Sequence, residues 1–173
     1  MVLTQAQGII CIVWFSNVQI HPVILERMIA IMDRTEANVL VCVTSQPACR
    51  RLICAGAEIA QQYGVPVKVV SVLPQGLVSA KTAETLQTLY NISGKLGAEM
   101  TVYFNDDAAL TAAVHARKTN AVHIVSGAPG ADSNLFIETV KGLLPEIPMS
   151  IVDEDAHIVT FPALRAAPSP LNR

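Results

Sequence analysis

Charge is what this sequence has least of. Asp, Glu, Lys and Arg together make up 15% of its 173 residues, against about 25% in an average soluble domain. Lys and Arg form no run, and the formal net charge is −2. That balance excludes a protein held electrostatically to nucleic acid. Long apolar runs are missing as well. Gly8 to Phe15 spans eight residues, where a membrane-spanning helix needs about 20. No Lys or Arg precedes that run, so it does not read as a secretory signal, and a cytoplasmic protein without membrane insertion is expected. The four cysteines, Cys11, Cys42, Cys49 and Cys54, form no Cys-x-x-Cys pair. Free thiols are expected rather than a disulfide framework or a zinc site.

What the chain does have is apolar residues, 51% of the total, with a mean hydropathy of +0.43. Disorder is excluded, because the apolar surface available is ample to offset the entropy of ordering. A surface partly covered by a second copy is expected, hence a homodimer.

From Asn38 onward, short β-branched runs alternate with helical ones. Val39 to Val43 is a nearly continuous apolar run, as a strand buried on both faces requires. A helix is expected from about Ala48 to Tyr63, with Leu52, Ile53, Gly56, Ala57 and Ala60 on one face and Gly64 as its stop. Further strands are expected at Val67 to Leu73, Met100 to Phe104, Ala121 to Val125 and Met149 to Val152. Helices should fill Ala80 to Leu96, the stretch after Asp106 or Asp107, and Ser133 to Leu144. Such alternation predicts βαβ units and a parallel sheet covered by helices on both sides.

Two flanks lie outside this unit. Residues 1–37 hold a strand-like piece and a helix from Pro22 to Arg34. They read either as an added docking element or as an extension from an early start codon, since Met28 or Met32 would also begin a compact domain. The tail, residues 153–173, offers one more strand at Ala156 to Thr160, placed to extend a dimer contact.

Ligands of open parallel sheets bind beyond the C-terminal ends of strands. Three loops qualify here, at Thr44 to Cys49, Ser71 to Gly76 and Ser126 to Asn134. In the last, Gly127-Ala128-Pro129-Gly130 follows a strand and leads toward a helix, where glycines allow close backbone approach and free amides suit an anion. The same residues also suit a plain strand-to-helix turn capped by Asp132 or Ser133. There is no Walker-type Gly-Lys-Ser/Thr and no Gly-x-Gly-x-x-Gly. Cys49, near a helix start, is the candidate for a reactive thiol. Cys42, Cys54 and Cys11 read as small buried hydrophobes. Asp106 and Asp107 read as helix caps, and Asp153, Glu154 and Asp155 as a solvated acidic turn. His115 and His123 stand singly, with no nucleophile motif beside them.

The core from Asn38 to Val152 resembles the universal stress protein (UspA-like) family, within the adenine-nucleotide alpha-hydrolase-like folds. It is most similar to the KdpD-type domain of potassium-sensing histidine kinases and its free-standing bacterial relatives. The likeness is carried by Asn38 to Thr44 leading into Cys49-Arg50-Arg51-Leu52-Ile53, by Leu96-Gly97-Ala98-Glu99, and by Leu144-Pro145-Glu146-Ile147-Pro148. It implies a three-layer α/β/α sandwich on a five-stranded parallel sheet, Rossmann-like, with strand order 3-2-1-4-5 and pairing of two copies through the last strand. It further implies a non-catalytic sensor or regulatory domain of the bacterial stress response. That domain would bind ATP or another adenine nucleotide and serve a regulatory protein partner.

By the resemblance, Val43, Thr44, Ser45, Val70, Ser71 and Val72 would flank the base. Ser126, Gly127 and Gly130 would admit phosphates, with Ser133 and Asn134 as donors. The chain departs from the ATP-binding pattern in two places. Val140 and Lys141 stand where a Gly-Ser/Thr pair belongs after Gly130, and Thr44 and Ser45 stand where an Asp follows the first strand. A ligand-free dimerisation or docking module, or a thiol sensor using Cys49, are the alternatives.

Overall fold

The computed structural model describes residues 37–76, 79–129 and 134–164. The expected domain made of residues 1–37 lies outside them apart from Ala37, as do Gly130, Ser133 and the end of the tail. β1 (Asn38–Val43) is followed by a 3-10 turn at Pro47–Cys49 and α1 (Arg50–Tyr63). Next come β2 (Val67–Leu73), α2 (Ala80–Lys95), β3 (Glu99–Phe104) and α3 (Ala108–Lys118). The order closes with β4 (Ala121–Gly127), α4 (Leu135–Leu143), β5 (Met149–Val152) and β6 (Ile158–Phe161).

The sheet runs β3-β2-β1-β4-β5-β6, parallel throughout except for β6, which is antiparallel to β5. The first five strands stand in the expected order, and β6 adds a sixth. Its start is two residues later than the expected Ala156, because a turn held by Asp153 comes first. The Asp153 carboxylate accepts the His157 backbone N–H at 2.8 Å. With β4 on one side and β6 on the other, β5 has no free edge. The outer strand available to a second copy is therefore β6, not Met149 to Val152.

β1 shows why the sandwich has three layers. All six of its residues are buried, and their side chains alternate between two separate cores. Val39, Val41 and Val43 join Leu52, Ile53, Ile59 and Leu89 beneath α1 and α2. Leu40 and Cys42 join Ala112, Ala116, Ile137 and Val140 beneath α3 and α4. α1 lies close on the sheet because Gly56 faces Val41 with no side chain of its own. It ends at Gly64, in the left-handed region at φ 66°, which glycine adopts at little cost. Asp107 caps α3 by accepting the Leu110 N–H at 2.9 Å. Asp106 instead ties the β2–α2 loop by accepting the Gln75 N–H at 3.0 Å. Among the described residues, no helix is long and apolar enough to cross a membrane.

Candidate functional site

A cleft of about 690 Å³ opens over the C-terminal ends of the central strands. It lies where helical connections leave β1 and β4 for opposite faces of the sheet. This is the switch point at which open α/β sheets leave a crevice. Cys42, Val43, Val70 and Val72 supply an apolar floor, with Leu52 of α1 and Ala108 and Ala112 of α3 beside them. Phe136 and Ile137 of α4 close one wall. Polar groups come from Thr44, Gln46 and Ser126, and the backbone of Gly127, Ala128 and Pro129 forms one end. A Cβ added at Gly127 would rest 3.4 Å from Leu52, an ordinary contact, so packing alone does not demand glycine there.

Of the residues expected to hold a base, Val43, Thr44, Val70 and Val72 line the cleft. Ser71 does not, because strand alternation sends it to the opposite face of β2 from its neighbours. It is fully buried, and its hydroxyl has no hydrogen-bond partner. Ser45 follows Thr44 out of the strand and is not among the lining residues. Of the phosphate-side residues, Ser126 and Gly127 line the cleft. Asn134 stands at the start of α4 without capping it through its side chain and is outside the lining. Gly130 and Ser133 fall outside the described residues.

Arg51, Asp153, Glu154 and Asp155 line the cleft too, and the sequence pattern did not single them out as ligand-facing. The acidic trio reads as a solvated turn, which it is, between β5 and β6. What places it at the cleft is pairing: Gly127 stands opposite Val152 in the β4–β5 ladder. A residue following β5 therefore emerges beside the loop that follows β4. Partial desolvation pushes the Asp153 carboxyl up, but hydrogen bonds from the His157 backbone and ring, and the charge of that ring, outweigh it. The group stays below its ordinary value.

The thiols separate clearly. Burial pushes the Cys42 thiol up to about 12, so it stays protonated and unreactive. Cys49 is buried, with its sulfur 3.4 Å from the Thr44 hydroxyl. An exposed sulfur there is what a redox sensor would need, and it is not what the structure has. Cys54, expected as a buried hydrophobe, is exposed instead, because it falls on the outer face of α1 between Ile53 and Ala55. His123 Nε2 lies 2.8 Å from the Ser150 hydroxyl. Both residues are buried and neither lines the cleft, so this pair is structural.

Neither a protein-family model nor a curated protein sequence matches the chain. Solved structures do. A universal stress protein from Archaeoglobus fulgidus is 21% identical with a TM-score of 0.51, over 72% of this chain and 98% of that one. A universal stress protein from Archaeoglobus fulgidus DSM 4304 is 20% identical with a TM-score of 0.51, over 66% of this chain and 42% of that one. One from Archaeoglobus fulgidus in complex with dAMP is 23% identical with a TM-score of 0.48, over 69% and 98%. Together with the strand order, the first two establish the architecture: this chain has the fold of the universal stress proteins, a Rossmann-like three-layer sandwich.

Proposed function

We propose that the chain is a non-catalytic adenine-nucleotide-binding regulatory domain of universal-stress-protein type, working in the bacterial cytoplasm as a homodimer. The observation that carries this reading is the cleft. Its volume of about 690 Å³ falls within the range of roughly 300–1,000 Å³ usual for small-molecule sites. It pairs apolar walls for a base with polar side chains, Thr44, Gln46, Arg51 and Ser126, for the ligand's polar groups. Binding without turnover is favoured by the sequence, which lacks a Walker-type lysine to brace a transferring phosphoryl group. Thr44 and Ser45, in place of the family's Asp, fit the KdpD-type branch.

Thermal melting with and without adenosine, AMP, ATP and cyclic dinucleotides tests the reading. A ligand at one hundred times its Kd stabilises the fold by about 2.7 kcal/mol, so a rise of several degrees is expected with at least one of them. A melt unmoved by all of them at millimolar concentration would favour the ligand-free docking module instead.

A further inference from the structure

Resting on the adenine-nucleotide reading of the cleft, we infer that Arg51 receives the ligand's phosphate, beside the β1–α1 loop rather than at the loop after β4. The loop after β4 is where the resemblance puts phosphates, but its described part has little to donate. The Ala128 N–H is spent on the Val152 carbonyl at 2.9 Å, and Pro129 has no N–H. Asn134, the donor expected at the start of α4, is not among the lining residues.

Arg51 is the one cation among the described residues that line the cleft. The residue is half-buried, and its Nη1 donates to the Ala48 carbonyl at 3.2 Å. Its Nε is shut off from water and has no hydrogen-bond partner. The ion pairs among the described residues are Lys68–Glu99, Arg117–Glu146 and His157–Asp153, so Arg51 belongs to none of them. That holds even though Asp153, Glu154 and Asp155 line the same cleft. The guanidinium is therefore anchored, partly withdrawn from water and without a counter-charge. Its place on α1 sharpens the imbalance. Arg50 and Arg51 both fall in the first turn, which holds no acid and has no side-chain cap. The positive end of the helix dipole adds to their charge, an arrangement that an anion relieves. Thr44 and Gln46 bring a hydroxyl and an amide to the cleft from the adjoining loop. A phosphate seated there takes charge-assisted hydrogen bonds from the guanidinium and meets neutral donors beside it.

The test is calorimetric titration of the full chain with adenosine and with AMP, on the wild type, Arg51→Gln and Arg51→Lys. The wild type should bind AMP about tenfold more tightly than adenosine, because only AMP offers the guanidinium an anion. Arg51→Gln should bring AMP to within about twofold of adenosine. Arg51→Lys keeps the charge but not the planar fork, and should retain an advantage of about threefold. Adenosine should bind all three proteins within about twofold, which also shows that the variants are folded. An AMP advantage that survives Arg51→Gln would put the phosphate elsewhere in the cleft and overturn the assignment. A wild type that binds AMP no more tightly than adenosine would overturn it too, and in both cases the adenine site itself would stand. Arg51→Gln weakening adenosine as much as AMP would make Arg51 a support of the fold, not a phosphate ligand. If neither ligand binds the wild type, the adenine reading falls and the assignment with it.

Discussion

Gly56 is the residue on which the close approach of α1 to the sheet depends. A Cβ there would run into the Val41 side chain, and Val41 is fully buried at the centre of the sheet. Neither side can give way, since Val41 is β-branched and stiff at χ1 and α1 is fixed by Leu52, Ile53 and Ile59 on the same face. Gly56→Ala should therefore destabilise the fold by ~1–3 kcal/mol, the usual cost of overpacking, although alanine is the better helix former. Urea denaturation of the two proteins checks this. A variant as stable as the wild type would mean that α1 rides farther from β1 than described. The same scale explains what sequence reading could and could not see in the site. Val70 and Ser71 are adjacent and equally buried, yet only the first faces the cleft. Nothing in their identities says which face of β2 is which until the partners of the strand are known.

At the scale of elements, the parallel core was legible and its antiparallel addition only partly so. β1, β2, β4 and β5 announce themselves as apolar runs because helices cover both faces. α1 is bounded by a proline-led turn and a glycine stop. β6 has no such signature: all four of its residues are exposed, so neither face imposes a pattern. It is recruited by the turn at Asp153 to His157, which folds it back antiparallel along β5. The acidic rim escaped for a related reason. Its residues reach the cleft through the β4–β5 pairing, which is a property of topology rather than of composition. An exposed last strand also bears on assembly. Val159 is 60% exposed on one face and Ile158 41% on the other, and the outer backbone edge of such a strand in a lone chain invites pairing with another edge. With the proposed homodimer joined through β6, Val159→Lys should shift the dimer to monomer in sedimentation velocity at micromolar concentration. Because the side chain is exposed in the lone chain, the monomer should stay folded, and its melting temperature should lose only what the dimer contact contributed and no longer depend on protein concentration. A protein already monomeric before the change, or a dimer indifferent to it, would remove β6 from the interface.

For the molecule as a whole, the two halves of the sheet each bury a histidine, and this sets how stability should depend on pH. His123 sits between Tyr63 and Ser150, its Nδ1 3.3 Å from the phenol and its Nε2 2.8 Å from the hydroxyl. Ser150 in turn lies 2.8 Å from the Thr160 hydroxyl, which ties β4 to β6. His115 lies on the other face, its Nδ1 2.9 Å from the Tyr103 hydroxyl and its Nε2 buried without a partner. Burial lowers both from their ordinary value of 6.5. At His115, Lys68 and Lys118 push the same way while Glu99 opposes them. A lowered histidine favours its neutral form in the fold. Its contribution is complete above pH 6.5, where the unfolded chain is neutral as well. As pH falls below that value the unfolded state takes up protons that the folded state refuses, and stability is lost until the folded pKa is reached. Asp153 acts elsewhere: its depressed carboxyl contributes above its ordinary 3.8 and is lost only in stronger acid. The melting temperature should therefore hold level above about pH 7 and fall by a few degrees between pH 6.5 and 5. His123→Gln, which can still hydrogen-bond Ser150, should flatten part of that slope, and adding His115→Gln should flatten most of the rest. A wild-type melt that stays level down to pH 5 would mean that neither imidazole is as dry as its surroundings make it. A slope unchanged in the double variant would assign the acid sensitivity to other groups.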